Sequence, residues 1–159
     1  MGTVNDRLAT VQRIVAEAGI DSTARELPAS THTAAAAAAA LGTEPGAIAS
    51  SLLFLADGEP LLVMTSGRHR VDTDVLAAQL GVEVLTMATA KQVREITGQP
   101  IGGVSPVGHP APIRTVVDEA LREYDVVWSA AGTANSVLPL TFDQLLTLTG
   151  GTVVRVDEH

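Results

Sequence analysis

The stretch "SSLLFLADGEPLLVMTSG", residues 50–67, constrains the fold more than any other. Two apolar runs flank Asp57-Gly58, and Asp-Gly tolerates the positive φ angles of a tight two-residue turn. The segment therefore predicts a β-hairpin. A hairpin forces antiparallel pairing, so a simple doubly wound parallel sheet is not expected. Whatever surrounds this hairpin must build a mixed or antiparallel sheet around it.

The flanking segments supply the other elements. Val4, Leu8, Val11, Ile14 and Val15 recur with a helical period, and Gly19 closes an N-terminal helix over about residues 4–18. "TARELPAS" reads as extended. In "THTAAAAAAALG", Thr31 or Thr33 caps a helix, seven alanines propagate it and Gly42 ends it. A helix of alanines lets a neighbouring sheet approach closely. "DTDVLAAQLG" is a short helix between Asp72 and Gly81, "VEVLTMA" a strand, and "TAKQVREITG" a helix ending at Gly98. Ile113 to Val117 and Val126 to Ala130 read as strands around the short segment "DEALREY". "VLPL", "TFDQLLTLTG" and "TVVRV" give a strand, a helix and a final strand. The 159 residues show no internal repeat and no break in composition, so one domain over residues 1–159 is expected.

Composition excludes several function classes. Apolar residues make up 46% and charged residues 18%, which is globular rather than disordered. Aromatics are 3%, so Ala, Val, Leu and Ile must build the core. There is no cysteine, hence no disulfide, thiolate nucleophile or Cys-based zinc site. No stretch approaches the ~18–20 apolar residues that span a bilayer, and the N-terminus lacks an apolar signal core. A cytoplasmic location and no membrane partner are the expectation. The formal charge of −8, with Lys91 the only lysine, argues against gripping long nucleic acid through its phosphates. It leaves room for recognising the end of an RNA in a local pocket.

Chemistry-bearing motifs are sparse. There is no GxGxxG, no GxxxxGK[ST] and no HExxH, so no nucleotide cofactor is expected. His32, His69, His109 and His159 lack metal-ligand spacing, and no metal is expected. Ser105, His109 and Asp118 have the residue types of a nucleophile, base and orienter, without the GxSxG elbow. The most informative segment is "IGGVSPVGHPAP", residues 101–112. Its glycines let backbone N–H groups come close to a ligand, and its prolines hold the loop in shape. N–H groups near Gly102 and Gly103 suit a carbonyl or a developing oxyanion. A plain structural turn is the competing reading.

The order of "IASSLLF", the hairpin, "GRHRVD", "ITGQPIGGVSP", "VVDEAL", "AAG" and "LTFDQLLTLTGG" resembles the YbaK/EbsC family. That is the fold of the editing domain inserted in bacterial prolyl-tRNA synthetases, and the similarity runs from about Thr31 to Val156. The resemblance implies an α+β fold: a mixed, partly closed, barrel-like sheet with helices around it. It implies a deacylase that acts in trans on mischarged aminoacyl-tRNA carrying a small amino acid, with tRNA for proline the leading species. An aminoacyl-tRNA synthetase is an implied partner.

By matching position, Gly102, Gly103, Ser105, Pro106 and Gly108 would line the pocket. Asp118 matches the acidic residue after the loop, and Gly132 the glycine of the next one. The family pattern often carries a lysine where this chain has Ser50, followed here by Ser51. Ser50, Gly102, Gly103 and His109 are thus the expected catalytic positions. Ser51, Ser105, Pro106, Gly108, Asp118, Gly132 and Arg70 are expected to bind substrate. Deacylation further predicts that Arg68, Arg70 or Arg114 lies at the pocket rim, near RNA phosphates. A ring of carboxylates would favour the alternative, a non-catalytic binding module in which Ser50 marks lost chemistry.

Overall fold

The computed structural model of the chain describes residues 4–28, 33–99, 104–133 and 135–157. Helix α1 (Val4–Glu17) is followed by the short strand β1 (Arg25–Glu26) and helix α2 (Ala34–Leu41). A 3-10 turn (Pro45–Ala47) leads into strands β2 (Ile48–Ala56) and β3 (Glu59–Ser66). Helix α3 (Thr73–Leu80), strand β4 (Leu85–Met87) and helix α4 (Ala90–Thr97) come next. After the Gly/Pro loop come β5 (Arg114–Asp118), a second 3-10 turn (Glu119–Glu123), β6 (Val127–Ala130) and β7 (Ser136–Leu140). Helix α5 (Phe142–Thr149) and strand β8 (Thr152–Val154) end the described fold.

Local chemistry explains these boundaries. Asp57 (φ 49°) and Gly58 (φ 86°) form the hairpin turn with both residues at positive φ. The Asp57 carboxylate adds a second reason for its place: it accepts from the backbone N–H of Val84 at 2.8 Å and ties the turn to the approach to β4. Thr33 caps α2 by accepting from the Ala36 N–H at 3.0 Å. Thr89 and Thr141 start α4 and α5 with reciprocal Gln92 and Gln144 capping boxes.

The eight strands form one mixed sheet in the order β1-β7-β6-β2-β3-β5-β8, with β4 branching from β2. The hairpin is antiparallel, with Ala56 opposite Glu59 and Ser50 opposite Thr65. Strands β6 on β2, β5 on β3 and β8 on β5 are parallel. The expectation of a mixed sheet wrapped by helices holds. The path ends at β1 and β8 without closing, and no pairing joins those ends among the described residues.

Side-chain alternation divides the core into two faces. Ala49, Leu53, Leu62, Met64 and Val117 face α1, α4 and α5, where Val11, Val15, Val93 and Leu145 are buried. Phe54, Leu61, Val63 and Val116 face the other way, against Leu76 of α3. On that second face Ile48 and Val137 pack on Ala37 and Ala38 of α2. The alanine run does bring helix and sheet close together. No helix among the described residues is long and apolar enough to cross a membrane.

Candidate functional site

The edge of β2 away from β3 is shared by two strands that do not meet. Strand β6 pairs only with Ile48 and Ala49, running parallel. Strand β4 pairs only with Phe54, Leu55 and Ala56, running antiparallel. Between Ala49 and Leu53 the edge is open for about 14 Å, taking ~3.4 Å per residue. The hairpin register decides which backbone groups face this gap. Ala56 pairs across the turn, and Ile48 O accepts from Gly67 N at 2.9 Å, so even-numbered residues point their backbone groups at β3. Odd-numbered residues point theirs at the split edge, as Leu53 O does in accepting from Ala88 N at 3.0 Å. Ser51 is the odd residue inside the gap. Its N–H and C=O face the opening, and no described strand residue pairs with them.

A cleft of about 280 Å³ occupies this split. Ser50 and Ser51 both line it, although alternation sends their side chains to opposite faces, because the cleft cuts through the sheet. Ala34 and Ala37 of α2 form one wall, and Val93 of α4 and Ala88 contribute to another. Trp128 and Ala130 bring in the end of β6. Val104, the first described residue after Gly103, also lines it. None of the described lining residues is charged. The Ser51 hydroxyl lies 3.2 Å from Met64 Sδ, a weak acceptor that leaves the oxygen's own lone pairs available.

The remaining expected residues are dispersed. Gly102 and Gly103 lie outside the described residues. Ser105 is fully buried and turned toward its own loop: its N–H donates to Gln99 Oε1 at 2.7 Å and its hydroxyl to Val107 O. The His109 ring nitrogen Nε2 lies 2.9 Å from the Ser105 carbonyl and so serves as its donor. Pro106 is buried, and Gly108 takes φ 86°. Gly108 and His109 line a separate hollow against Arg7 and Thr10 of α1, not the cleft. Gly132 (φ 101°) also sits against α1, its carbonyl accepting from Arg7 Nε at 3.1 Å. Arg70 is exposed and does not line the cleft.

Asp118 belongs to a different pocket. It is wholly buried, and its carboxylate accepts from Ser66 N and Ala120 N, each at 3.0 Å, and from the Thr65 hydroxyl at 3.4 Å. His69 Nδ1 is 3.0 Å from it, and His69 Nε2 is 4.0 Å from Asp157. The Ser105–His109–Asp118 triad is therefore not formed. Asp118 orients His69, and His109 meets the carbonyl of Ser105 rather than its hydroxyl. Sequence spacing carries no signal for the His69–Asp118 contact, which joins positions 49 residues apart. Nor do the arginines meet the rim expectation. Arg68 pairs with Glu123 in the Asp118 pocket, and Arg114 lines a third hollow beside Asp57 and Glu59. The cleft is ringed neither by those arginines nor by carboxylates.

The buried loop histidine has a measurable consequence. Burial holds the His109 pKa below the usual histidine value, and the bond to the Ser105 carbonyl opposes this in part. The unfolded chain titrates near about 6.5. Below that pH the unfolded state takes up a proton that the fold resists. This contribution is thus full above about pH 6.5 and is lost as pH falls toward the folded pKa. The urea midpoint is expected to drop between about pH 7.5 and 5.5, and to drop less in His109→Gln. Equal pH slopes in the two proteins would contradict this.

Comparison with known proteins agrees with this architecture. The aminoacyl-tRNA editing domain family matches residues 28–148. The proline–tRNA ligase of Nitratidesulfovibrio vulgaris is 36% identical over 97 residues, which cover 61% of this chain and 17% of the ligase. The chain thus spans less than a fifth of that relative's length. The uncharacterized protein YwhH of Bacillus subtilis is 31% identical over 121 residues, 76% of each chain. Among solved structures, a candidate trans-editing enzyme for prolyl tRNA synthetase superposes with a TM-score of 0.90 at 40% identity, covering 96% of this chain and 98% of the other. The hypothetical protein APE2540 gives a TM-score of 0.85 at 31% identity, covering 94% and 99%. The chain belongs to the aminoacyl-tRNA editing domain family, with the YbaK-type fold that its motif order resembles.

Proposed function

We propose that this protein hydrolyses the ester of mischarged aminoacyl-tRNA carrying a small amino acid, acting in trans. The observation that carries the reading is the small cleft at the split of the sheet, uncharged among the described residues, with a Ser51 backbone edge that no described strand residue pairs and two hydroxyls on it. Its volume lies at or below the lower end of ordinary ligand pockets, about 300–1,000 Å³. A small aminoacyl group suits it and a large one does not.

Hydrolysis needs a water at the ester carbonyl, a stabilised tetrahedral oxyanion, and departure of the ribose oxygen with a proton. An N–H aimed into a water-poor cleft is suited to the oxyanion, which in comparable sites is worth several kcal/mol, about 3–4 for one donor. The Ser51 N–H is so aimed, and Gly102 and Gly103, joined to the lining residue Val104, are proposed to add theirs. Ser50 is proposed to orient the attacking water or the substrate amine. No cleft side chain provides a strong base among the described residues, so rate would come from positioning and charge stabilisation, with a substrate hydroxyl or bound water taking the proton.

The test is a deacylation screen against tRNAs charged with amino acids of increasing size, including tRNA for proline charged with alanine. Turnover of small esters, falling steeply with side-chain size, is expected. Binding of those tRNAs with no release of amino acid from any would overturn the reading in favour of a non-catalytic module. Association with a synthetase is proposed only as an extension, checked by whether added synthetase lowers KM.

A further inference from the structure

The cleft is too small to enclose an aminoacyl group together with a whole terminal nucleoside, and none of its described walls carries a charge. The nucleoside must therefore rest at the mouth. One feature there is built for it. Trp128, the only tryptophan in the chain, is half-buried on β6 and lines the cleft. The exposed Arg25 of β1 reaches over β7 and places its guanidinium carbon 5.5 Å from the Trp128 ring centroid. Strand pairing puts the two on one face: Arg25 is opposite Val137, Val137 is opposite Ala130, and Trp128 is two residues before Ala130. Among the described residues no carboxylate lies within ion-pair distance of Arg25. In a chain of charge −8 this leaves a cation at the rim of the cleft with charge to offer a ligand.

We propose that Arg25 and Trp128 form the platform on which the terminal nucleobase of the RNA stacks, with Arg25 also meeting the adjoining phosphate. The inference rests on reading the cleft as an aminoacyl-ester site. Its chemistry is general. Single-stranded RNA ends are held by aromatic rings and guanidinium planes, which accept the flat face of a base, while a cation meets the backbone. An exposed guanidinium held over an indole can take the flat face of a base beside the ring. Trp128 also anchors the apolar cluster of α2 and β7, which keeps the platform in register with the alanine wall.

A single tryptophan makes the test direct. Titration with the trinucleotide cytidylyl-cytidylyl-adenosine is expected to change Trp128 emission saturably, and added salt or Arg25→Ala is expected to weaken the effect. In deacylation, Arg25→Ala and Trp128→Leu should each raise KM about tenfold, with kcat within about twofold, and Trp128→Phe should recover most of the loss. Because Trp128 also packs against α2, the exposed Arg25 variant keeps the test open if Trp128→Leu folds poorly. Unchanged emission and unchanged KM in Arg25→Ala, with wild-type deacylation intact, would overturn the platform and leave the cleft reading standing. A saturable emission change in a protein that deacylates nothing would support the platform and overturn the proposed hydrolysis.

Discussion

Asp118→Ala is expected to lower stability by about 3–5 kcal/mol, a large share of the ~5–15 kcal/mol that holds a domain of this kind together. The carboxylate has no exposed surface and gathers donors from three elements: Thr65 and Ser66 at the end of β3, Ala120 in the turn that Asp118 itself caps, and His69. Removing it strands those donors in a dry interior, and each stranded group costs its own desolvation. Asp118→Asn should cost less, since its amide oxygen still accepts while its NH₂ faces donors. Urea denaturation at neutral pH measures both. Resemblance to the family assigned this residue to substrate binding. A variant that melts like wild type and has lost deacylation would restore that role and contradict the structural one.

Ala37→Leu is expected to lower kcat/KM for deacylation at least 100-fold while costing about 1 kcal/mol of stability. Ala37 sits on the α2 wall of the cleft, and a longer side chain there takes space that the aminoacyl group needs. Leucine is nearly as good a helix former as alanine, so the helix itself persists. Ala40→Leu is the control: the same substitution on the same helix, at an exposed position outside the cleft, should leave activity unchanged. Equal losses in the two variants would point to a general effect on α2 rather than to a filled site.

Much of the fold was legible because its signals are local. Asp57-Gly58, the capping residues Thr33, Asp72, Thr89 and Thr141, and the stop glycines Gly42, Gly81, Gly98 and Gly150 act within a few residues of themselves. The candidate site was legible only in part. Ser50 and Ser51 stand in a recognisable motif, and both line the cleft. The alanine run signals close packing in the sequence, and its further place as a cleft wall depends on where β2 loses its neighbours. That split is a tertiary fact: β4 and β6 are about forty residues apart in sequence and share one edge of β2 without touching. The same holds for Arg25 over Trp128 and for His69 against Asp118, which no spacing rule connects. The loop residues Ser105 and His109 do not line the cleft, for a physical reason. Their polar groups are spent on holding the loop to itself, which sequence shows only as the presence of serine and histidine.

The ligand is expected to occupy the split in the sheet. A crystal structure with a small aminoacyl-adenosine analogue, its ester replaced by an amide, tests this most directly. The aminoacyl group is expected against Ala37, its carbonyl oxygen about 3 Å from the Ser51 N–H, and the adenine over Arg25 and Trp128. The analogue bound instead beside His69 and Asp118, with the cleft between Ala49 and Leu53 empty, would rule this out.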